Sequence, residues 1–216
     1  AAPFLFSPLY LNSYLLPWVI WATAALALNL LMGWAGQIHL GFAAVMAIGA
    51  YSAIHLTRAG IPFELALIGA GLVSAVIGLG FGAAALRVKG LYLAVSTLAM
   101  QYLVDWIISH TPAISGGSQA TLQAPSFAVL GIAIDSDARR YWVALVLCIL
   151  VASFMLNVRR TSFGRALVAV RDKDFAAAII GVNAFYVKLV AFWTSSFIGG
   201  VAGAVLAFCY YGAVTP

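Results

Sequence analysis

Side chains capable of acid, base or metal chemistry are scarce in this sequence. His39, His55 and His110 fall near the ends of different apolar runs, so they share no helical face that could hold a metal ion. Cys148 and Cys209 each lie alone within a long apolar run, which argues against a disulfide framework or a thiolate site. The motifs of phosphate-binding loops, zinc-dependent proteases and serine hydrolases are absent. We therefore expect the chain to be no enzyme and to bind no metal or cofactor itself.

A few polar side chains lie within the apolar runs. Gln101 and Asp105 are one helical turn apart and therefore share a face. A carboxylate within a membrane span is a candidate for function, although Asp105 is close enough to the end of its run to be hydrated at the membrane surface. Amides and hydroxyls in lipid must bond to neighbouring helices, which is the commoner use, or line a hydrated path. The candidates for a translocation path are Asn29, Gln37, Ser96, Gln101 and Asp105.

The composition around these residues indicates an integral membrane protein. Of the 216 residues, 64% are hydrophobic and only 8% are charged. A soluble protein of this composition would expose far more apolar surface than water tolerates. Six apolar runs approach the roughly 20 residues that cross a bilayer as a helix: Leu11–Met32, Gly41–Thr57, Pro62–Leu86, Leu91–Ser109, Tyr141–Val158 and Leu189–Tyr211. We expect an all-α fold, a polytopic transmembrane helix bundle of about six spans that forms a single domain over residues 1–216.

Basic residues collect in two connections and thereby predict the orientation of the bundle. Residues 159–188 hold six of them, and Arg87 with Lys89 occupies a second connection two spans away. The positive-inside rule assigns both connections to the cytoplasm. The net charge of +5 is then explained by membrane topology rather than by nucleic acid.

Small residues recur at intervals of four in two runs. One series is Ala70, Ser74, Gly78 and Gly82, and the other is Ser195, Gly199, Gly203 and Ala207. In lipid, such series allow helix backbones to approach closely. We expect both helices to pack against neighbours along these series.

The glycine-rich segment Gly33 to Gly41 separates the first two runs. Its sequence fits either a tight aqueous loop or a break in the helix at membrane depth, where irregular backbone lines a cavity. The pattern alone leaves both interpretations open.

Residues 159–188 are longer than a connection between two spans requires. Phe163, Leu167 and Val170 share a helical face, and Arg165 and Arg171 flank it. The pattern predicts a short amphipathic helix, which suits either a groove on a partner protein or the membrane surface.

A second short helix is predicted directly afterwards. Asp174 is suited to be the N-cap of a helix over residues 175–180, and Gly181 is suited to the left-handed conformation that ends such a helix.

Several of these stretches together resemble the permease subunits of branched-chain amino acid ABC importers, the LivM-like group. The matching stretches are NLLMGWAGQIHLGFAAVMAIGAY (29–51), RVKGLYLAVST (87–97), SGGS (115–118) and GRALVAVRDKDFAAAIIGVN (164–183), in the order of the family. The resemblance implies an ABC importer permease fold and a multi-pass protein of the bacterial inner (plasma) membrane. Family members usually carry further C-terminal spans, so the resemblance also implies that this chain is a fragment that lacks them.

The resemblance assigns residues 159–188 to a cytoplasmic coupling loop that docks on an ATPase. Ala176, Ala177 and Gly181 keep the spacing of the general Glu-Ala-Ala, three residues, Gly motif, while Phe175 stands in the place of the glutamate. The residues predicted to take part in coupling are Phe163, Gly164, Arg165, Leu167, Val170, Arg171, Asp174, Ala176, Ala177 and Gly181.

The resemblance further implies what the chain moves and what it assembles with. The cargo is expected to be branched-chain amino acids or a similar small polar solute, with urea, amides and aromatic acids as further classes. The expected partners are a second homologous permease, cytoplasmic subunits that bind ATP, an extracytoplasmic substrate-binding protein and membrane lipid. The alternative function is an ATP-independent channel or secondary transporter.

Overall fold

The computed structural model describes residues 10–85, 90–117, 121–129, 131–134 and 136–215. This part of the chain is mainly helical, and its helices are numbered here in chain order: α1 (Leu11–Trp34), α2 (Phe42–Arg58), α3 (Phe63–Ala85), α4 (Leu91–His110), α5 (Pro112–Ser115), α6 (Asp137–Arg160), α7 (Ser162–Asp172), α8 (Asp174–Ile179) and α9 (Ala184–Tyr211). α1 begins and ends with π-helical turns, Leu11–Leu15 and Leu30–Trp34, and α9 ends with another, Leu206–Tyr211.

The prediction of an all-α transmembrane bundle is confirmed. Within the described part of the chain, five helices, α1, α3, α4, α6 and α9, are long and apolar enough to cross a membrane, by length and composition. α2 occupies the second predicted run and is 17 residues long. The observed helices extend beyond several predicted runs, because the charged ends of a span can lie at the membrane surface. α6, for example, begins at Asp137 and ends at Arg160.

α9 lies at the centre of the bundle, and small residues allow its neighbours to approach. On one side it packs against α3, where an added Cβ at Gly78 would meet Ser196 and one at Gly82 would lie 2.8 Å from the Phe192 ring. On another side it packs against α2, where an added Cβ at Gly203 would collide with the backbone of Met46. The two predicted series of small residues are therefore confirmed as packing surfaces.

One end of the bundle, called here the loop end, carries residues 111–117, 121–129 and 131–134. Its two small antiparallel pairs join β1 (Leu122–Gln123) to β4 (Ala213–Val214) and β2 (Ala128–Val129) to β3 (Ile132–Ala133). Arg58 Nη2 donates a hydrogen bond of 2.9 Å to the carbonyl of Gln123, which joins the end of α2 to β1. The rings of Phe63 and Phe208 lie 5.0 Å apart beneath these strands.

The opposite end, called here the basic end, carries α7 and α8. The described basic residues at this end are Arg159, Arg160, Arg165, Arg171, Lys173 and Lys188, against Arg58, Arg139 and Arg140 at the loop end. Arg87 and Lys89 lie outside the described residues. The separation of charge agrees with the orientation that the positive-inside rule predicts, with the basic end in the cytoplasm.

Candidate functional site

The segment between α1 and α2 leaves helical structure after Trp34, at the basic end, and then enters the bundle. Gly36 has a left-handed φ of 66° and follows the π-helical turn that ends α1. The Leu40 N–H then donates a hydrogen bond of 3.0 Å to Oγ1 of Thr97. Thr97 is the seventh residue of α4 and lies about 9 Å along that helix from its start. Of the two interpretations open from the sequence, the structure supports the embedded break.

Two polar side chains of this break are enclosed by the bundle. Gln37 and His39 are each only 2% exposed, and none of their side-chain nitrogen or oxygen atoms has a hydrogen-bond partner among the described residues. The His39 ring lies 5.0 Å from the ring of Phe192 on α9. Buried polar groups are ordinarily bonded to protein or to ordered water. These two side chains therefore mark a polar position inside the bundle. Gln37 is among the candidates predicted from the sequence for the translocation path, whereas His39 is not.

A cavity of about 210 Å³ lies between α2 and α4. Gln101 and Asp105 line it from α4, as their one-turn spacing predicted, and Asp105 is exposed. The opposite wall is formed by alanines of α2, among them Ala43, Ala44 and Ala47. The small alanine side chains leave space for the cavity. Its apolar wall on α2 thus faces the carboxylate of Asp105 and the amide of Gln101 on α4.

The remaining candidates for a translocation path lie elsewhere. Asn29 is exposed near the end of α1, Ser96 is half-buried on α4, and Gln37 is enclosed in the break. The structure therefore brings together two of the five candidates, Gln101 and Asp105. Their use in transport stays a prediction.

α7 packs its apolar face against the bundle. Its N-cap is Thr161, whose Oγ1 accepts the N–H of Gly164 at 3.2 Å. Leu167 and Val170 are 0% and 1% exposed, and Phe163 packs half-buried beside them. The predicted apolar stripe is thus covered by the protein's own helices, so it anchors α7 to the bundle.

The predicted left-handed Gly181 after α8 is confirmed, whereas the predicted beginning of the helix is wrong and its last residue is Ile179 rather than Ile180. Gly181 has a φ of 88°, and two hydrogen bonds close the turn, from Gly181 to Ala178 at 3.1 Å and from Val182 to Ala177 at 3.0 Å. Lys173 occupies the N-cap position, and its side chain makes no capping bond. Asp174 is instead the first residue of the helix, and its carboxylate pairs with Lys188.

The outer surface of α8 is apolar and uncovered. Phe175, Ile179 and Ile180 are 80%, 71% and 75% exposed, while Ala177 on the inner side is 2% exposed and Ala176 is exposed. We call these three residues the α8 tip. The sequence predicted a helix here but did not identify the tip. The signal was present in part, since residues 175 and 179 share the face opposite Ala177, whereas Ile180 is the residue that follows the helix.

The comparisons with known proteins agree with this architecture. The family described as the permease component of branched-chain amino acid transport systems matches residues 10–216. The high-affinity branched-chain amino acid transport system permease proteins LivM of Salmonella typhimurium and Escherichia coli are each 30% identical over 222 residues, covering 92% of this chain and 52% of theirs. The L-arabinose transport system permease protein AraH of Escherichia coli is 27% identical over 128 residues, covering 59% of this chain and 37% of AraH.

The chain spans about half the length of the LivM proteins it matches. No solved structure matches it.

Proposed function

This chain belongs to the family of permease components of branched-chain amino acid transport systems, and from that membership we propose that it forms a membrane-spanning part of an ABC uptake system in the bacterial inner membrane. Separate cytoplasmic subunits would bind and hydrolyse ATP. A second homologous permease would complete the transmembrane unit, and an extracytoplasmic binding protein would deliver solute to the loop end.

The observation that carries the proposal is the α8 tip. Large apolar side chains on a short helix outside the bundle are costly to leave in water, so they suit a hydrophobic groove on a partner protein. The tip lies at the basic end, where the positive-inside rule predicts the cytoplasm. We therefore propose that α8 is the coupling helix and that the tip enters the ATP-binding subunits.

Rigid connections would carry the motion of those subunits into the bundle. The closed turn at Gly181 and the ion pair of Asp174 with Lys188 join α8 to the start of α9. Leu167 and Val170 hold α7 against the bundle. Since α9 packs closely against α2 and α3, a displacement of α8 would tilt the central helices together, which alternating access requires.

The proposed route for solute is the cavity between α2 and α4. Gln101 and Asp105 offer hydrogen-bond acceptors to a polar solute, and Asp105 offers a negative charge to the ammonium group of an amino acid. The cargo proposed is branched-chain amino acids or a similar small polar solute. The external binding protein would supply much of the selectivity.

Co-purification with the ATP-binding subunits tests this function. The full-length permease, expressed with those subunits, is expected to retain them through detergent purification, and Phe175→Ala is expected to release them. Phe154→Ala is the matched control, because Phe154 is 45% exposed on the membrane-spanning helix α6. Association that survives Phe175→Ala together with Ile179→Ala would overturn the coupling role. Solute flux through liposomes without any ATP-binding subunit would favour the ATP-independent channel instead.

A further inference from the structure

Three arginines line one cleft at the basic end. The cleft has a volume of about 540 Å³ and is lined by Trp34 of α1, Arg159 of α6, and Gly164, Arg165, Val168 and Arg171 of α7. No described acidic residue lines it. Two consecutive helices, α6 and α7, therefore contribute guanidinium groups to a common space, and Trp34 of the distant α1 forms another wall of it.

The positive charge in this cleft is not neutralised by the described residues. The Arg159 side chain makes no hydrogen bond or ion pair with them. Arg165 Nη1 donates a hydrogen bond of 3.2 Å to the carbonyl of Arg160, and Arg171 Nη1 donates a hydrogen bond to the carbonyl of Gly33. Each guanidinium has five N–H donors, so both keep further donors free. The cleft is therefore suited to an anion with several acceptor oxygens.

The position of the cleft relates it to the membrane surface. It opens between the ends of two membrane-spanning helices, α1 at Trp34 and α6 at Arg160, where lipid headgroups lie. Tryptophan is enriched at this level of the bilayer because its indole is apolar at one side and polar at the other. Arginine forms bidentate bonds with phosphate oxygens.

We propose that this cleft is a binding site for the phosphate headgroup of an anionic lipid of the inner leaflet. Basic pockets between membrane-spanning helices on the cytoplasmic side are the type of site that holds such headgroups. The bound lipid would lie between α1, α6 and α7, and it would hold α7 against the membrane. Arg165 and Arg171, predicted from the sequence as residues of the coupling loop, would then act on lipid rather than on the ATP-binding subunits.

Competition between lipids tests the proposal. The purified full chain would be exposed to mixtures of phosphatidylglycerol and phosphatidylcholine, and the bound lipids would be counted by native mass spectrometry. We expect Arg159→Gln with Arg165→Gln to reduce the preference for phosphatidylglycerol by about 10- to 30-fold, since each basic residue near a membrane surface contributes about 1 kcal/mol. Arg160→Gln removes the same charge one residue away, from a side chain that does not line the cleft, and is expected to reduce the preference by at most about fivefold, the general effect of one basic residue near the membrane surface.

Further arms separate the lipid from other anions. Inorganic phosphate, at matched ionic strength, is expected not to displace phosphatidylglycerol. Should the double variant not fold, Arg159→Gln alone provides the test, because the Arg159 side chain bonds to none of the described residues. Unchanged lipid preference in these variants would overturn the proposal. So would release of the lipid by inorganic phosphate, or by the ATP-binding subunits, which would make the cleft a free-anion site or a protein interface.

Discussion

The Lys188 ammonium group lies 2.6 Å from the Asp174 carboxylate, so an ion pair joins the fifth residue of α9 to the first residue of α8. The two side chains are 20% and 34% exposed. Together with the turn at Gly181, the pair connects the proposed coupling helix to the central helix of the bundle.

Breaking this ion pair is expected to affect coupling more than stability. Because the pair is partly exposed, Asp174→Asn should change the free energy of unfolding by less than about 1 kcal/mol. ATP-driven uptake should nevertheless fall, since α8 could then move without α9. The measurement is initial uptake rate in vesicles normalised to permease content. The charge-swapped pair Asp174→Lys with Lys188→Asp should restore the rate. Unchanged uptake in Asp174→Asn, or a charge swap that fails to restore the rate, would count against the connection.

Glycines at the centre of the bundle are expected to be intolerant of side chains. An added Cβ at Gly203 would collide with the carbonyl of Met46, so Gly203→Ala must shift backbone and should cost about 1–3 kcal/mol. Gly80 on α3 has open space around it, so Gly80→Ala should be neutral or stabilising by up to about 1 kcal/mol. Thermal unfolding of the detergent-purified protein measures both. Equal midpoints for the two variants would contradict the packing described for α2 and α9.

The turn after α8 is expected to depend on glycine for conformational reasons alone. Gly181 has a φ of 88°, and an added Cβ there would contact nothing within 4 Å. Gly181→Ala should therefore cost about 1–2 kcal/mol through the left-handed backbone, whereas Gly181→Asn should cost less. Hydrogen exchange of the α8 amides measures the effect, with about tenfold faster exchange expected for the alanine variant. Identical exchange rates in Gly181→Ala and Gly181→Asn would argue against a left-handed conformation at this position.

Neutralising the cavity between α2 and α4 is expected to impair transport without affecting assembly. Asp105→Asn keeps the shape of the side chain and removes its charge, so uptake of an amino acid should fall while the ATP-binding subunits still co-purify. Asp137→Asn is the control, because Asp137 lies at the start of α6 and does not line this cavity. Uptake kinetics at varied solute concentration provide the measurement. Normal uptake by Asp105→Asn would leave the carboxylate without a part in translocation.

Local chemistry made part of this structure predictable. Apolar length indicates membrane-spanning helices because hydrocarbon imposes it, and Gly181 indicates the end of α8 because few other residues adopt its backbone conformation. The intervals of four in α3 and α9 likewise predict close packing. Each of these signals depends only on residues near one another in the chain.

Long-range contacts made the rest unpredictable. The sequence pattern of Leu167 and Val170 is the same whether the bundle or a partner protein covers this apolar face. Only the fold shows that the bundle covers it. The depth of the break before α2 depends on Thr97, which is 57 residues from Leu40. The arginine cleft draws Trp34, Arg159 and Arg165 from three helices. None of these contacts between distant segments produces a periodic pattern in the sequence.

In the proposed function, the α8 tip faces the cytoplasm and contacts the ATP-binding subunits. A cysteine substituted for Phe175 in the full-length permease can be treated with a membrane-impermeant maleimide in vesicles of either orientation. We expect labelling only in inside-out vesicles, and protection from labelling when the ATP-binding subunits are present. Labelling from the external side, or equal labelling with and without those subunits, would contradict this proposal.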